Sequence, residues 1–390
     1  MKVICAQKSL VNGIQTVQKG ISNKIGLPIY SGTLFEVTKD NKIHLFSTDL
    51  ELGIDCYISA QIIQHGSVVI PNKIFSDLIR KFSEGNIEIE SGNDNVIHIK
   101  ENHSEYKILG FSAEEFSPFP SIKSKAKMII PQVLLKESLQ KVIFATSKDE
   151  SRSFLNGVLF KSLEDGIEIV ATDSHRLALK KIDLTQNKKV KVENQFEVII
   201  PQRTLSELLK LLSSEEDRML EIKIGEKQVI FILDPNGEKN KIRLFSRMIE
   251  GQFPDYHQII PKDFKTIVKV NTDIFRQRVE RINLFVKEDI NTIKMEVNRS
   301  SQNPEVEGRG ELRIQVNTPD IGDAYEEIPC TVKGEYVSIA FNARYIIDVL
   351  KVIKTDDTEI QLNENLNPAI IRPIEKKLLY DYVLMPVRMD

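Results

Sequence analysis

The sequence is poor in cysteine and has no long apolar run. Cys5, Cys56 and Cys330 are few, odd in number and far apart, which favours a reducing compartment over a disulfide framework or a metal site. No stretch approaches the roughly 18 consecutive apolar residues that a transmembrane helix needs. The opening MKVICAQKSL has a short apolar stretch, shorter than the apolar region of a signal peptide. We therefore expect a cytoplasmic protein without membrane spans.

The sequence also lacks the short motifs of common enzymes. It has no Walker loop, no Gly-x-Gly-x-x-Gly, no Gly-x-Ser-x-Gly elbow and no His-x-x-x-His pair. His98 and His103 are close in sequence, but nothing beside them supplies two further metal ligands. We predict no metal site and no cofactor. Neither a zinc finger nor an RNA-binding signature is present, so any contact with nucleic acid should not depend on base sequence.

A repeated unit organises the 390 residues, which are too many for one core and suit two to four domains. A β-rich stretch runs into a helix at three places: VVIPNKIFSDLIRKF, VIIPQRTLSELLKLL and SIAFNARYIIDVLKVI. Pro71, Pro201 and Asn342 stand at the junctions, where proline or asparagine suits a helix start. An acidic residue follows six positions later in each copy, as Asp77, Glu207 and Asp348. Apolar residues then recur at helical spacing.

Each copy has an earlier amphipathic helix, in MKVICAQKSLVNGIQTVQKGI, KMIIPQVLLKESLQKVIFAT and IVKVNTDIFRQRVERINLFV. Alternating strands such as TLFEVTKDNKIHLFSTDLEL lie between the two helices. The pattern predicts an α+β fold of three repeated domains, at residues 1–125, 126–261 and 262–390, with proline-bearing joins at Pro118–Pro120 and Pro254–Pro261. NRSSQNPEVEGRGE in the third copy replaces a tight hairpin and is predicted to be a surface loop.

The helices concentrate the positive charge. The six predicted helices carry +8 together, and since the whole chain carries −3, the remaining residues carry −11. A positive bias on one helix alone would be interpreted as an ordinary solvent-exposed charged face. Six equivalent helices with the same bias indicate a basic surface on an acidic protein, which would meet phosphate backbones through counterion release.

The stretch ATDSHRLA, residues 171–178, places an aspartate, a serine and a histidine side by side. If Asp173, Ser174 and His175 lie on an extended strand, their side chains point to alternate faces and cannot converge as a hydrolase triad must. The first repeat has STDLELGI at this place, so the Thr-Asp pair is predicted to order a turn. His175, Arg176 and Leu177 occur only in the second repeat, which indicates a task performed once per chain.

Four motifs, in this order, resemble the bacterial DNA polymerase III beta subunit, the replication sliding clamp: FLNGVLF, ATDSHRLA, FPDY and the terminal YVLMPVRM. The resemblance covers essentially the whole chain. It implies three similar domains per chain and two chains joined head to tail in a closed ring, with helices inside and antiparallel sheets outside. It also implies a non-catalytic homodimer that encircles double-stranded DNA as a processivity factor. Its partners would be the DNA polymerase III catalytic subunit, the clamp loader and other proteins with a clamp-binding motif.

The resemblance also implies two sets of site residues, a peptide pocket and a dimer seam, and the charged helix faces supply a third set of candidates. A peptide-binding pocket between the second and third domains would contain Leu155, Thr172, His175, Arg176, Leu177, Pro254, Ile259, Asn342, Tyr345, Val383, Met385, Pro386, Val387 and Arg388. The helices would present to DNA the residues Lys19, Lys24, Lys73, Arg80, Lys136, Lys141, Arg152, Arg203, Lys210, Arg276, Arg344 and Lys351. The dimer seam would join Tyr106 and Ile108 to Leu284 and Phe285. The pocket would have apolar walls and arginine anchors, Arg176 and Arg388, at its edge.

Two other functions remain open from the residues alone. The apolar pocket residues Leu177, Val383 and Met385 could be ordinary core.

The first alternative function is a nuclease. A nuclease would need clustered carboxylates that hold a metal, but Asp49 and Asp173 are repeat-equivalent and should lie in different domains. A sequence-specific regulator would need a helix that reads bases, and no such motif is present.

Overall fold

A computed structural model describes residues 1–21, 26–92, 94–235, 241–287, 291–299, 307–319, 321–364, 366–375, 377 and 379–388. The chain forms two compact units. Unit 1 comprises Met1–Lys136, Lys188–Phe196 and Arg203–Met248, and unit 2 comprises Glu137–Asn187, Glu197–Gln202 and Ile249–Asp390. Unit 1 therefore holds the first repeat with part of the second, and unit 2 holds the rest of the second with the third.

Six α-helices occur among the described residues: α1 Gln7–Val17, α2 Asn72–Ile79, α3 Gln132–Val142, α4 Gln202–Leu211, α5 Thr272–Ile282 and α6 Ala343–Leu350. All six match predicted helices, but α1, α3 and α5 each end in a short 3₁₀ turn, at Gln18–Gly20, Ile143–Ala145 and Asn283–Phe285. The predicted junctions are confirmed, because Pro71 and Asn342 are the N-caps of α2 and α6 and the Asn342 side chain accepts from the Arg344 amide. None of the described helices is long and apolar enough to cross a membrane.

Unit 1 contains fourteen strands among its described residues: β1 Lys2–Ala6, β2 Gly32–Val37, β3 Lys42–Thr48, β4 Leu52–Ser59, β5 Gln61–Gln64, β6 Ser67–Pro71, β7 Asn86–Ser91, β8 Val96–Glu101, β9 Ser104–Leu109, β10 Ala126–Pro131, β14 Lys191–Glu193, β16 Met219–Ile224, β17 Gln228–Leu233 and β18 Ile242–Arg247. They form an antiparallel sheet in the order β5-β1-β7-β8-β9 and another in the order β14-β10-β16-β17-β18-β4-β3-β2-β6. Pairing of β18 with β4 joins the second repeat to the first.

Unit 2 contains the other strands of the described chain: β11 Gly157–Ser162, β12 Gly166–Thr172, β13 Arg176–Asp183, β15 Glu197–Pro201, β19 Thr266–Asn271, β20 Thr292–Arg299, β21 Gly308–Thr318, β22 Gly322–Gly334, β23 Val337–Asn342, β24 Asp357–Leu362, β25 Ala369–Pro373 and β26 Tyr380–Leu384. They form one antiparallel sheet in the order β15-β11-β12-β13-β26-β25-β24-β19-β22-β21-β20-β23. Pairing of β26 with β13 joins the third repeat to the second.

The apolar stripes of the helices pack onto these sheets. Leu10, Ile14 and Val17 of α1 are buried in one core of unit 1, together with Phe75 and Ile79 of α2. The spacing that predicted these helices is thus the spacing that buries them.

The predicted surface loop NRSSQNPEVEGRGE is partly wrong. Asn298 and Arg299 belong to β20, and 308–311 belong to β21, because the two strands pair as far as Arg299 and Gly310. Residues 300–306 lie outside the described part of the chain.

Candidate functional site

The residues of ATDSHRLA form a hairpin turn in unit 2. The Thr172 hydroxyl donates to the Arg176 carbonyl at 2.7 Å and accepts from the Ser174 amide at 3.1 Å. One Asp173 carboxylate oxygen accepts from the His175 and Arg176 amides, both at 3.0 Å. Ser174 takes a φ of +77°, so the backbone reverses there. The expectation that residues 173–175 lie on an extended strand is wrong, because these side-chain bonds fold them into a turn, whereas the predicted role of the Thr-Asp pair is confirmed.

Unit 1 repeats this turn. The Thr48 hydroxyl donates to the Leu52 carbonyl at 2.9 Å, and an Asp49 oxygen accepts from the amides of Glu51 and Leu52. Leu50 takes the left-handed conformation, with a φ of +70°. Asp49 and Asp173 lie in different units, as predicted. The first two repeats therefore share this turn, and its side chains differ between them.

Arg176 is the centre of a polar network in unit 2. Its Nε donates to Asp173 at 2.9 Å, one terminal nitrogen donates to Asp348 at 2.6 Å, and the other donates to the Phe144 carbonyl at 2.8 Å. The guanidinium also lies 4.3 Å from the Tyr345 ring centre and 5.5 Å from that of Phe144. Its side chain is only 10% exposed. Three of its five N–H donors therefore serve the protein itself, and its use as a ligand anchor at the pocket edge stays a prediction.

The last strand fixes the end of the chain against this turn. β26 pairs with β13 so that Leu384 lies opposite Arg176 and Val383 lies opposite Leu177. Beyond β26, the Met385 amide donates to the His175 carbonyl at 2.9 Å. The Val387 amide donates to the Ala340 carbonyl at 2.8 Å. The terminal segment is thus held by backbone bonds on both sides, where a free chain end would fray.

An apolar cluster lies beneath the turn. Leu155, Leu177 and Val383 are buried in it, and Ile259 packs against it half-buried. Met385 is half-buried at the start of the terminal segment. The other predicted pocket residues are distributed by exposure: Thr172 is buried, Asn342, Tyr345, Pro386 and Val387 are partly buried, and His175, Pro254 and Arg388 are exposed. The buried members can form a floor, and the half-buried and exposed members are the ones that a ligand can reach.

A polar cleft of about 590 Å³ opens beside the turn. Its walls include Phe144, Arg152, His175, Tyr345 and Asp348. The Arg152 guanidinium donates to the Ser174 hydroxyl at 2.9 Å, so this side chain lies against the turn. Burial, followed by the Asp173 charge, raises the pKa of Tyr345 and keeps its phenol protonated. The sequence had assigned Arg152 to a DNA-facing set and had given Phe144 and Asp348 no site role.

The predicted DNA-facing residues lie on or beside the helices. Lys73, Arg80, Arg152, Arg203, Lys210, Arg344 and Lys351 are exposed, and Lys19, Lys136, Lys141 and Arg276 are partly buried. Several form ion pairs within their own unit: Arg80 with Asp77, Arg152 with Asp149, Arg203 with Asp49, Lys210 with Glu207 and Arg276 with Asp273. Lys24 lies outside the described residues. These pairs reduce the free positive charge of the helix faces.

The predicted seam residues differ in exposure. Leu284 is 77% exposed, and Tyr106 and Phe285 are also open to solvent. Ile108 is buried in the core of unit 1. Its neighbour Leu109, which the sequence argument missed, is 76% exposed on the same edge strand. Leu109 therefore lies exposed on an edge strand, and Leu284 lies exposed in the 3₁₀ turn after α5.

No group of three or more histidine, cysteine, aspartate or glutamate side chains is arranged to hold a metal ion within the described part of the chain.

The chain matches three models of one family along most of its length. Residues 1–120 match the N-terminal domain of the DNA polymerase III beta subunit, residues 129–255 its central domain and residues 257–388 its C-terminal domain.

Named relatives match from end to end. The beta sliding clamps of Synechococcus elongatus and Bacillus subtilis are each 30% identical to this chain, with 100% of both chains covered. Among solved structures, the DNA polymerase sliding clamp from Bacillus subtilis has a TM-score of 0.89 at 29% identity, with both chains fully covered. The DNA polymerase III beta subunit of Thermotoga maritima has a TM-score of 0.86 at 26% identity and the same coverage.

Proposed function

Since the chain belongs to the bacterial DNA polymerase III beta subunit family, the beta sliding clamps, we propose that it encloses duplex DNA as a dimer and holds replication proteins on it through the site around Arg176. The predicted three-domain clamp fold, sliding-clamp function and non-catalytic role are confirmed by this membership. A clamp raises the effective concentration of its partners at DNA without chemistry. We expect it to work in the cytoplasm.

Two strand edges without a pairing partner among the described residues support the proposed dimer. β18 of the second repeat pairs with β4 of the first, and β26 of the third pairs with β13 of the second. The corresponding strand of the first repeat, β9, is an edge strand. Within the described residues, the first part of β22 pairs with β21 alone. A second copy can therefore supply β9 to β22, and two such contacts close a two-fold ring.

The two observed joints predict the register of this seam. Phe245 lies opposite Gly53, and Val383 lies opposite Leu177. Ile108 corresponds to Phe245, because a phenylalanine follows each by eight residues. Gly322 corresponds to Gly53 and Leu177, because each is paired with the threonine before its turn. Ile108 would thus lie opposite Gly322.

This register also places opposite charges together. The residues next to Ile108 and Gly322 are Lys107 and Asp323, which would face each other across the seam. The exposed Leu109 and Tyr106 would then cover Leu284 and Phe285 of the second copy. Because Ile108 is buried in its own core, we assign the apolar contact to Leu109 and Tyr106.

The seam is tested by sedimentation. We expect Leu284→Ala/Phe285→Ala to be a monomer at concentrations where the wild type is a dimer, since burial of these side chains would be lost. Lys107→Glu and Asp323→Lys should each weaken the dimer. When the two variants are mixed, both seams of the mixed dimer carry opposite charges, so mixing should restore the dimer. A dimer unchanged in all variants would rule out this seam.

The docking part of the proposal assigns the apolar cluster and the terminal segment to partner binding. The ligand would be a short peptide with a glutamine and a few bulky apolar residues, and the proteins that carry it would be the DNA polymerase III catalytic subunit, the clamp loader and other replication factors. Half-buried Met385 and Ile259 offer adaptable apolar contact above the buried Leu177. Ordinary core packing remains the competing interpretation of the buried members.

Contact with DNA should be weak, sensitive to salt and indifferent to sequence. Replacing Arg80 and Lys81 together should lower the slope of log affinity against log salt by about 1 to 2 units. Strong preference for one base sequence would contradict this assignment.

The clamp function itself is tested by retention on DNA. After loading, the protein should remain on closed circular DNA at high salt and should leave linear DNA by sliding off its ends. Equal retention on both would show that binding depends on contacts instead of enclosure.

A further inference from the structure

The helix α6 contributes to the turn the acidic residue that recurs in each repeat, Asp348. Asp348 accepts from Arg176 at 2.6 Å, although the two residues are 172 positions apart. Asp77 and Glu207, at the corresponding positions of the other two repeats, pair instead with Arg80 and Lys210 on their own helices. Asp348 is thus used differently from its counterparts, and this occurs in the copy that meets the repeat-specific Arg176.

Arg176 connects four segments, and Asp348 accepts its hydrogen bond on one of them, α6. It belongs to β13, its Nε bonds Asp173 in the turn, and one terminal nitrogen bonds the Phe144 carbonyl after α3. Asp348 draws the other terminal nitrogen toward α6, where the guanidinium lies over Tyr345. A planar guanidinium with fixed donor directions can satisfy all these contacts in one orientation.

Phe144 and Tyr345 both contact the guanidinium in that orientation. The Phe144 ring also lies 5.8 Å from Tyr382 of β26, and the Tyr382 hydroxyl donates to the Tyr345 carbonyl at 3.0 Å. β26 leads directly into the terminal segment, whose Met385 amide bonds His175. The arginine network therefore links the turn, α6 and the strand that carries Met385.

We propose that Asp348 is a positioning residue of the docking site, which holds Arg176 in its stacked orientation and thereby fixes the turn and Tyr345 for the incoming peptide. Arg176 then acts as a brace inside the protein, and the ligand meets His175, Tyr345 and Met385. This inference rests on the proposed docking function.

The test uses the full-length protein and a fluorescein-labelled peptide with a glutamine followed by bulky apolar residues. Asp348→Asn should weaken peptide binding about tenfold, because a neutral amide replaces the charged partner of Arg176. Asp348→Glu keeps the charge and should restore part of the affinity. Asp77→Asn, the same change at the corresponding position of α2, is the matched control and should bind like the wild type.

Hydrogen exchange supplies a readout that needs no ligand. In Asp348→Asn, the amides of His175 and Arg176, which bond Asp173, should exchange several-fold faster, while those of Glu51 and Leu52 in the corresponding turn of unit 1 should not change. Wild-type affinity together with wild-type exchange in Asp348→Asn would overturn the inference, as would an equal loss of affinity in Asp77→Asn. If the wild type bound no peptide, the docking function would fail, and unchanged exchange would then overturn the positioning role as well.

Discussion

Two clusters occupy corresponding places in the repeat, one in each unit, and they are filled by different side chains. The aromatic cluster of unit 1 contains Tyr30, Phe46, Phe116, Phe119 and Phe245. The corresponding residues of the apolar cluster in unit 2 are Leu155, Val170, Phe253, Tyr256 and Val383. In unit 1 the ring of Phe46 meets those of Phe116 and Phe119 edge to face, at 5.7 and 5.4 Å. Aliphatic side chains replace three of the five rings in unit 2.

The residue on the strand that faces each cluster also differs between the two units. A Cβ placed on Gly53 would lie 2.1 Å from the Phe245 ring, so the ring covers the backbone where unit 2 has Leu177. In unit 2, Leu177 faces Val383, the half-buried Ile259 packs against the cluster, and the half-buried Met385 follows Val383 by two residues. The same backbone arrangement thus occurs twice. In unit 1 the pairing of β18 with β4 is covered by closely packed aromatic rings. In unit 2 the pairing of β26 with β13 is covered by aliphatic side chains, some of them partly exposed to solvent. The comparison indicates why a single chain would carry one docking site.

The largest effect should come from removing a ring of the aromatic cluster. Phe46 is fully buried, and Phe46→Ala should lower the free energy of unfolding by about 3 to 5 kcal/mol, since a ring-sized cavity is left. Val170→Ala at the corresponding place should cost less. Urea denaturation measures both. Equal losses would mean that the two clusters are packed alike.

The second prediction concerns a hydroxyl that unit 2 has at a place where unit 1 has phenylalanine. The Tyr256 hydroxyl donates to Glu168 at 2.5 Å inside the apolar cluster, whereas the corresponding Phe119 has no hydroxyl. Tyr256→Phe should cost about 1.5 to 3 kcal/mol of stability, because it removes a hydrogen bond to a buried carboxylate. Denaturation of Tyr256→Phe beside the wild type tests this, and an unchanged midpoint would show that Glu168 is satisfied without it.

The third prediction distinguishes the two strand pairings, β26 with β13 and β18 with β4, by their effect on peptide binding. Met385→Ala should weaken peptide binding by about 1 to 3 kcal/mol if Met385 is an anchor. Arg247, the last residue of β18, occupies the corresponding place in unit 1, and Arg247→Ala should bind the peptide as the wild type does. Fluorescence anisotropy with the labelled peptide measures both, and equal losses of affinity would remove the distinction between the two strand pairings.

His175→Ala should abolish no enzymatic activity, because we assign no catalytic role to His175.

The smallest effect concerns pH. Lys180 of β13 corresponds to Cys56 of β4, and both are buried. Burial, then the Lys141 charge, lowers the pKa of Lys180 from 10.5 to about 8, so the unfolded chain binds more protons between these values. Its contribution to stability should therefore rise with pH in that window and be lost as pH falls through 8. Burial raises the pKa of the Cys56 thiol above 9.0, so its contribution should fall as pH rises above 9.

Lys180→Met tests this sign. The difference in unfolding free energy between variant and wild type should shrink as pH rises from about 8 to 10, because only the wild type gains stability there. A difference that stayed constant would mean that Lys180 titrates normally in the folded state.

Much of the fold could be predicted from local sequence. The helices followed from apolar periodicity and from caps such as Asn342, and the turn followed from the repeated Thr-Asp pair. The network around Arg176 could not be predicted, because Asp348 is distant in sequence and nothing local marks their contact. The exposure of Leu109 and the burial of its neighbour Ile108 depend on which face of an edge strand is covered, which the alternation alone left undecided.

The docking claim is tested most directly by deleting the terminal segment. A chain truncated after Leu384 keeps the pairing of β26 with β13 but loses Met385 and the bonds to His175 and Ala340. We expect this protein to remain a dimer with wild-type unfolding behaviour and to bind no polymerase-derived peptide. Full peptide affinity in the truncated protein would contradict the docking site, and the turn at 172–176 would then have a structural role alone.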